Sequence, residues 1–224
     1  MKIIGRLKNV IKSVSYRLSK FTFGIILRVY FRPRVNGVEQ IPEQGGVILA
    51  ANHFSFVDPL LLGTFLPRRV WFVMAEDMYR KPVFYQFSKL MDVVPVTQGV
   101  GQTGPIRRCL KLLKEGKTIG IFPEGQRSRT GALLPAQKGV GFLACRGGMP
   151  VVPAALIGTR EAFPVGKLIP RPFQVQIFVG RPIQFNRSDD PEEVAARVRQ
   201  AIADILLQHG REDYVNGQSV EEGV

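Results

Sequence analysis

Short apolar runs and amphipathic stretches alternate along most of this chain. Residues 47–50, 70–73, 93–96, 118–122, 151–156 and 173–179 are rich in branched or aromatic side chains and too short for helices, so they predict strands. Between them, residues 59–66, 82–91, 105–115 and 137–146 carry helical patterning. A last helix is expected from Pro191 to about His209. Asp190 offers a capping carboxylate, Pro191 takes the first helical position, Val194, Val198, Ile202 and Ile205 share one face, and Gly210 stops it. This alternation predicts an α/β fold, a mostly parallel or mixed sheet flanked by helices. Residues 211–224 read as a loose polar tail.

Ahead of the first strand the pattern changes. Ile3, Leu7, Val10, Ile11, Val14 and Leu18 recur at steps of three and four, with Lys8, Lys12 and Arg17 off that stripe. From Phe21 to Phe31 the chain is apolar except for Thr22, Gly24 and Arg28, well short of the ~20 residues that cross a bilayer. No small-residue cleavage site follows, which argues against a signal peptide. Residues 1–34 are therefore expected to form an amphipathic basic anchor lying on a membrane, ahead of a domain at 35–210. A basic helix packed on its own domain would show the same pattern.

Charge sharpens that choice. The 224 residues carry a formal net charge of +13 and are 45% hydrophobic, a size and composition that suit one domain. Nine of the positive charges (Lys2, Arg6, Lys8, Lys12, Arg17, Lys20, Arg28, Arg32 and Arg34) precede the first acid, Glu39, leaving only +4 for the rest. A nucleic-acid binder would spread cations over the folded domain, so the expected partner is an anionic membrane surface and not a nucleic acid. Cys109 and Cys145 stand alone, without metal-ligand spacing, as reduced thiols on the cytoplasmic side of the membrane would.

Two short strings carry candidate chemistry. Asn52-His53-Phe54-Ser55-Phe56-Val57-Asp58-Pro59 follows the first strand and so sits at a carboxyl end, the usual mouth of an open α/β site. If the turn folds back, Asp58 orients one imidazole nitrogen of His53 while the other takes a proton from a hydroxyl. The same spacing also suits a helix-capping aspartate beside a turn histidine. The second string, Phe122-Pro123-Glu124-Gly125-Gln126-Arg127-Ser128, leaves another strand. Arg127 can grip a phosphate through two parallel hydrogen bonds, and Glu124 can order hydroxyls or hold the arginine. A simple Glu–Arg surface pair reads the same way.

In order and distance these strings resemble the glycerolipid acyltransferase family, whose best-known members are 1-acyl-glycerol-3-phosphate acyltransferases. The family's N-H-x-x-x-x-D block is similar to Asn52, His53 and Asp58. Its F-P-E-G-T-R-S block is similar to Phe122–Ser128 with Gln126 in place of threonine, and its V-P-V block resembles Val152-Pro153-Ala154. The resemblance covers about residues 35–185. It implies transfer of a fatty acyl group from acyl-CoA or acyl carrier protein to the hydroxyl of a glycerol-based lysolipid, most commonly 1-acyl-glycerol-3-phosphate, in membrane phospholipid biosynthesis. His53 and Asp58 would then be catalytic, Glu124, Gly125, Arg127 and Ser128 would bind substrate, and no metal or organic cofactor is implied.

Two positions depart from the family pattern: Gln98 stands where an arginine is usual, and Ala75 where a lysine is. These leave open a lysophospholipid with a larger head group, or an amino-acid lipid, as acceptor; Arg129 and Lys89 are further candidate cations. A silent lipid-binding protein is the remaining alternative. Phe54, Phe56, Leu60, Trp71, Phe72, Phe84 and Phe87 are candidates for an acyl-chain groove, with core packing the stronger expectation for most of them.

Overall fold

Runs of branched side chains with no room for polar faces belong in a sheet covered on both sides. The computed structural model describes residues 21–22, 24–80, 92–96 and 103–216. Among them seven strands form one sheet: β1 (Arg34–Asn36), β2 (Val47–Ala51), β3 (Val70–Ala75), β4 (Asp92–Val96), β5 (Thr118–Ile121), β6 (Val151–Ile157) and β7 (Gln176–Val179). Their spatial order is β1-β7-β6-β2-β5-β3-β4. All neighbours run parallel except β6 and β7.

The helices among the described residues are α1 (21–22 and 24–31), α2 (Asp58–Phe65), α3 (Glu76–Tyr79), α4 (Thr103–Lys114), α5 (Lys138–Gly147), α6 (Thr159–Ala162), α7 (Pro191–Gln208) and α8 (Glu212–Asn216). Asp190 caps α7 as expected, its side chain accepting from Glu192 N at 2.9 Å and Glu193 N at 3.0 Å. The helix expected at 82–91, with Phe84, Phe87 and Lys89, lies outside the described residues, as do Gln98 and the apolar stripe from Ile3 to Leu18.

Strand alternation splits the core into two layers. Ile48 and Ala50 of β2 face one layer with Cys109 and Leu113 of α4, Val140 and Leu143 of α5, and Val198 and Ile202 of α7. Val47, Leu49 and Ala51 face the other, with Leu61 and Leu62 of α2 and Leu27 and Phe31 of α1. The described part of the expected anchor thus packs one side on the domain. Its other side leaves Phe21, Ile25, Ile26 and Val29 exposed.

The stretch after Gly210 differs from the loose tail expected of it. Residues 212–216 are helical and Tyr214 is fully buried. Its ring meets Phe54 edge-on at 4.8 Å, and its backbone oxygen accepts from Leu133 N at 2.6 Å. Polar residues on both sides conceal this in the sequence, because only Tyr214 and its partly buried neighbour Val215 supply the anchor.

β2 and β5 are adjacent and parallel, so the chain leaves both at the same edge of the sheet. The two motif strings begin there.

Candidate active site

Asn52 follows β2 directly and is fully buried. Its Nδ2 donates to Leu156 O at 2.9 Å and its Oδ1 accepts from Leu156 N at 2.7 Å, so the side-chain amide adds a rung to the β2–β6 pairing. That rung fixes where His53 emerges. His53 Nδ1 lies 2.8 Å from Asp58 Oδ2, and the same oxygen accepts from Phe54 N at 2.8 Å and Ser55 N at 2.7 Å.

Asp58 itself opens α2, with Val57 as the residue before it, so it does not cap a helix starting at Pro59 as the sequence suggested. The reason is local: the tight turn leaves the amides of 54 and 55 free, and the carboxylate folds back to answer them. A carboxylate accepts only, so Nδ1 carries the ring proton and Nε2 is left with its lone pair free. The imidazole stacks on Phe122 with centroids 4.0 Å apart and planes 15° apart, and keeps 17% of its side-chain surface exposed.

The second loop grips the first by its backbone. Glu124 Oε1 accepts from His53 N at 2.8 Å, and Ser128 N donates to His53 O at 2.9 Å. Both peptide groups of His53 are therefore held by residues 124–128. Glu124 Oε2 accepts from Leu134 N at 3.0 Å, closing the loop behind it. Arg199 of α7 supports the far side, donating to Leu134 O and Leu133 O, each at 3.0 Å.

Burial pushes the Glu124 carboxyl up to about 7, against the opposing pull of the two amides; the nearby Asp58 charge raises it further and Arg199 lowers it. Gly125 makes the turn at φ +69°, a conformation that side chains resist, and its amide donates to Phe122 O at 3.0 Å. Ser128 Oγ accepts from Gly131 N at 3.0 Å.

Arg127 lies over the Phe56 ring, its guanidinium carbon 3.3 Å from the centroid. Among the described residues its Nη1 is buried with no hydrogen-bond partner. Burial lowers its pKa, opposed by the Asp58 charge, yet a guanidinium stays protonated. A stacked cation with an unanswered donor is equipped to take an anionic oxygen.

All six expected site residues, His53, Asp58, Glu124, Gly125, Arg127 and Ser128, thus meet at one edge. Glu124 and Ser128 meet it through bonds to the protein's own backbone. Four contributors were not singled out as site residues from sequence: Asn52 as a rung, Phe122 as the ring beneath His53, Arg199 behind the loop and Tyr214 behind Phe54. Nothing in spacing marks the last two, since both come from distant helices. Of the groove candidates, Phe54 and Phe72 are core. Trp71 lies near the start of β3, away from the site, between Arg69 and Lys117. Among the described residues no group of three or more His, Cys, Asp or Glu side chains could hold a metal ion.

Comparison with known proteins adds to this geometry. The family described as acyltransferase matches residues 32–157. The chain is 30% identical over 176 residues to the chloroplastic 1-acyl-sn-glycerol-3-phosphate acyltransferase BAT2 of Brassica napus, covering 77% of this chain and 51% of that protein. To the 1-acyl-sn-glycerol-3-phosphate acyltransferase of Bacillus subtilis it is 28% identical over 172 residues, covering 75% and 82%. It spans about half the length of the plant relatives. The crystal structure of the 1-acyl-sn-glycerophosphate acyltransferase PlsC from Thermotoga maritima superposes with a TM-score of 0.72 at 22% identity, over 93% of this chain and 84% of that one, which shows a shared fold. Both motif loops fall within the matched span, and the chain belongs to the acyltransferase family.

Proposed function

We propose that this site moves a fatty acyl group from the thioester of coenzyme A or acyl carrier protein to the free hydroxyl of 1-acyl-glycerol-3-phosphate, giving phosphatidic acid and a free thiol. The observation that carries this reading is the interlock of the two loops. The His53–Asp58 couple and the Arg127 cation are held together by His53 N to Glu124 and Ser128 N to His53 O.

In the reaction, His53 Nε2 takes the hydroxyl proton as that oxygen bonds to the thioester carbonyl carbon. Asp58 stabilises the imidazolium through Nδ1. The carbon–sulfur bond then breaks, and the imidazolium returns its proton to the departing sulfur. A positioned base contributes about 10² to 10⁴-fold. Arg127, fixed flat on Phe56, takes the acceptor phosphate through paired donors. The thioester is already activated, so the chemistry draws on no metal or organic cofactor. The free, isolated thiols of Cys109 and Cys145 favour the cytoplasmic face of the membrane as the place of reaction, with residues 1–34 as the anchor.

The relatives' names favour a 1-acyl-glycerol-3-phosphate acceptor. Ala75, which brings no charge to the end of β3, favours a second reading in which the acceptor is a lysolipid with a larger head group. Thiol release from acyl-CoA, measured against a panel of lysolipids, decides between them. The proposal expects 1-acyl-glycerol-3-phosphate to stimulate release most, and it fails if no lysolipid raises release above hydrolysis.

A further inference from the structure

β7 runs antiparallel to β6 and parallel to β1, so the chain enters both β1 and β7 at the edge where β2 and β5 end. Two exposed apolar features arrive at this edge beside the site. The first is the outer side of α1, where Phe21, Ile25, Ile26 and Val29 stand open. The second is the segment 163–173 between α6 and β7, where Leu168 is 93% exposed, Ile169 80% and Phe173 39%. Hydrogen bonds tie the two together: Tyr30 OH donates to Pro170 O at 2.7 Å, Val175 N to Phe31 O at 3.0 Å, and Arg34 N to Val175 O at 2.9 Å.

The same segment reaches the site. Ser55 Oγ donates to Phe163 O at 2.8 Å, and the Phe163 ring lies 6.3 Å from Phe56, the ring under Arg127.

A lone exposed leucine is ordinary, but two adjacent aliphatics this open, in a segment hydrogen-bonded to a helix with its own exposed apolar side, are not. Their charged surroundings select the occupant. Lys167 and Arg171 flank the pair and are exposed, and no Asp or Glu occurs from 162 to 188. Apolar tips with a cationic rim fit a bilayer bearing anionic head groups.

We propose that the 163–173 segment is a second membrane-contact surface. Leu168 and Ile169 enter the acyl layer of an anionic bilayer while Lys167 and Arg171 meet lipid phosphates, and with α1 they set the His53 edge against the lipid. The inference rests on the lipid-acceptor reading of that site, but the contact is measurable without substrate.

The test uses the full chain with Leu168→Cys carrying a polarity-sensitive dye; Cys109 and Cys145 are buried and stay unlabelled. A label at Glu115→Cys, exposed where β5 begins at the opposite edge, is the control. The expected result on phosphatidylglycerol-containing vesicles is a blue shift at 168, quenched by lipids brominated along the acyl chain, and neither change at 115. Leu168→Ser with Ile169→Ser, both at open positions, should leave the melting temperature unchanged and weaken vesicle binding about tenfold or more. The proposal is overturned if the chain binds vesicles with the 168 label still in water, if the double variant binds as well as wild type, if binding ignores anionic lipid, or if the dye shifts only with an added protein. Failed acyl transfer by vesicle-bound chain would instead count against the proposed function alone.

Discussion

Asp58 Oδ2 accepts three hydrogen bonds, one from the imidazole and two from backbone amides, so it orients the ring and shapes the turn that carries it. Asp58→Asn removes the charge that favours the imidazolium. It should lower kcat by about 10²-fold or more and cost about 1–3 kcal/mol of stability, read by initial rates and urea unfolding. Arg127→Lys keeps the charge but loses the fork and the flat stack on Phe56. The acceptor KM should rise about tenfold with kcat little changed. Glu124 gives a pH signature. Its carboxyl, raised from 4.5 to about 7, binds a proton more tightly in the folded chain than in the unfolded one. Its contribution to stability therefore falls as pH rises from about 4.5 to about 7 and levels off above that. Glu124→Gln should lose less unfolding free energy than wild type between pH 5 and pH 8; equal losses would show that another group controls the slope. His53 and Asp58 were legible as a pair because their spacing follows a strand. The backbone bonds of Glu124 were not, because the same residue types serve a ligand site and a strut equally well.

At the scale of elements, the C-terminal turn closes the site from behind. Tyr214 OH donates to Glu161 Oε2 at 2.5 Å and accepts from Gly158 N at 3.0 Å, while Arg211 bonds Glu161 and Asp213. Its ring supports Phe54, the neighbour of His53. Tyr214→Phe leaves a buried amide and one carboxylate oxygen of Glu161 unanswered and should cost about 1–3 kcal/mol. Tyr214→Ala adds a cavity and should cost about 3–5 kcal/mol, with a loss of kcat that thermal melting and steady-state rates would show together. The longer strands and α7 could be read from the sequence because branched runs and a capped, one-faced helix repeat a strong pattern. β1 with three residues, α6 with four and α8 with five could not. Elements that short carry no periodicity, and tertiary partners decide them.

Over the whole molecule, sheet topology gathers His53, Arg127, α1 and the 163–173 segment at one edge. Of the +13 net charge, nine positive charges lie in residues 1–34, so vesicle binding should be electrostatic in part and weaken as salt rises, in sedimentation with phosphatidylglycerol vesicles. Salt-independent binding would assign the attraction to apolar contact alone. No described helix is long and apolar enough to cross a membrane. The parallel sheet followed from strand–helix alternation, whereas the reversal at β7 left no mark in the sequence, because antiparallel and parallel strands use the same side chains. The central claim is that the position-53 imidazole is the base, and single-turnover acyl transfer to 1-acyl-glycerol-3-phosphate by His53→Ala tests it most directly. The account predicts a rate about 10²-fold or more below wild type, with acceptor affinity and melting temperature preserved. A rate within a few-fold of wild type, from a folded and acceptor-bound variant, would contradict it.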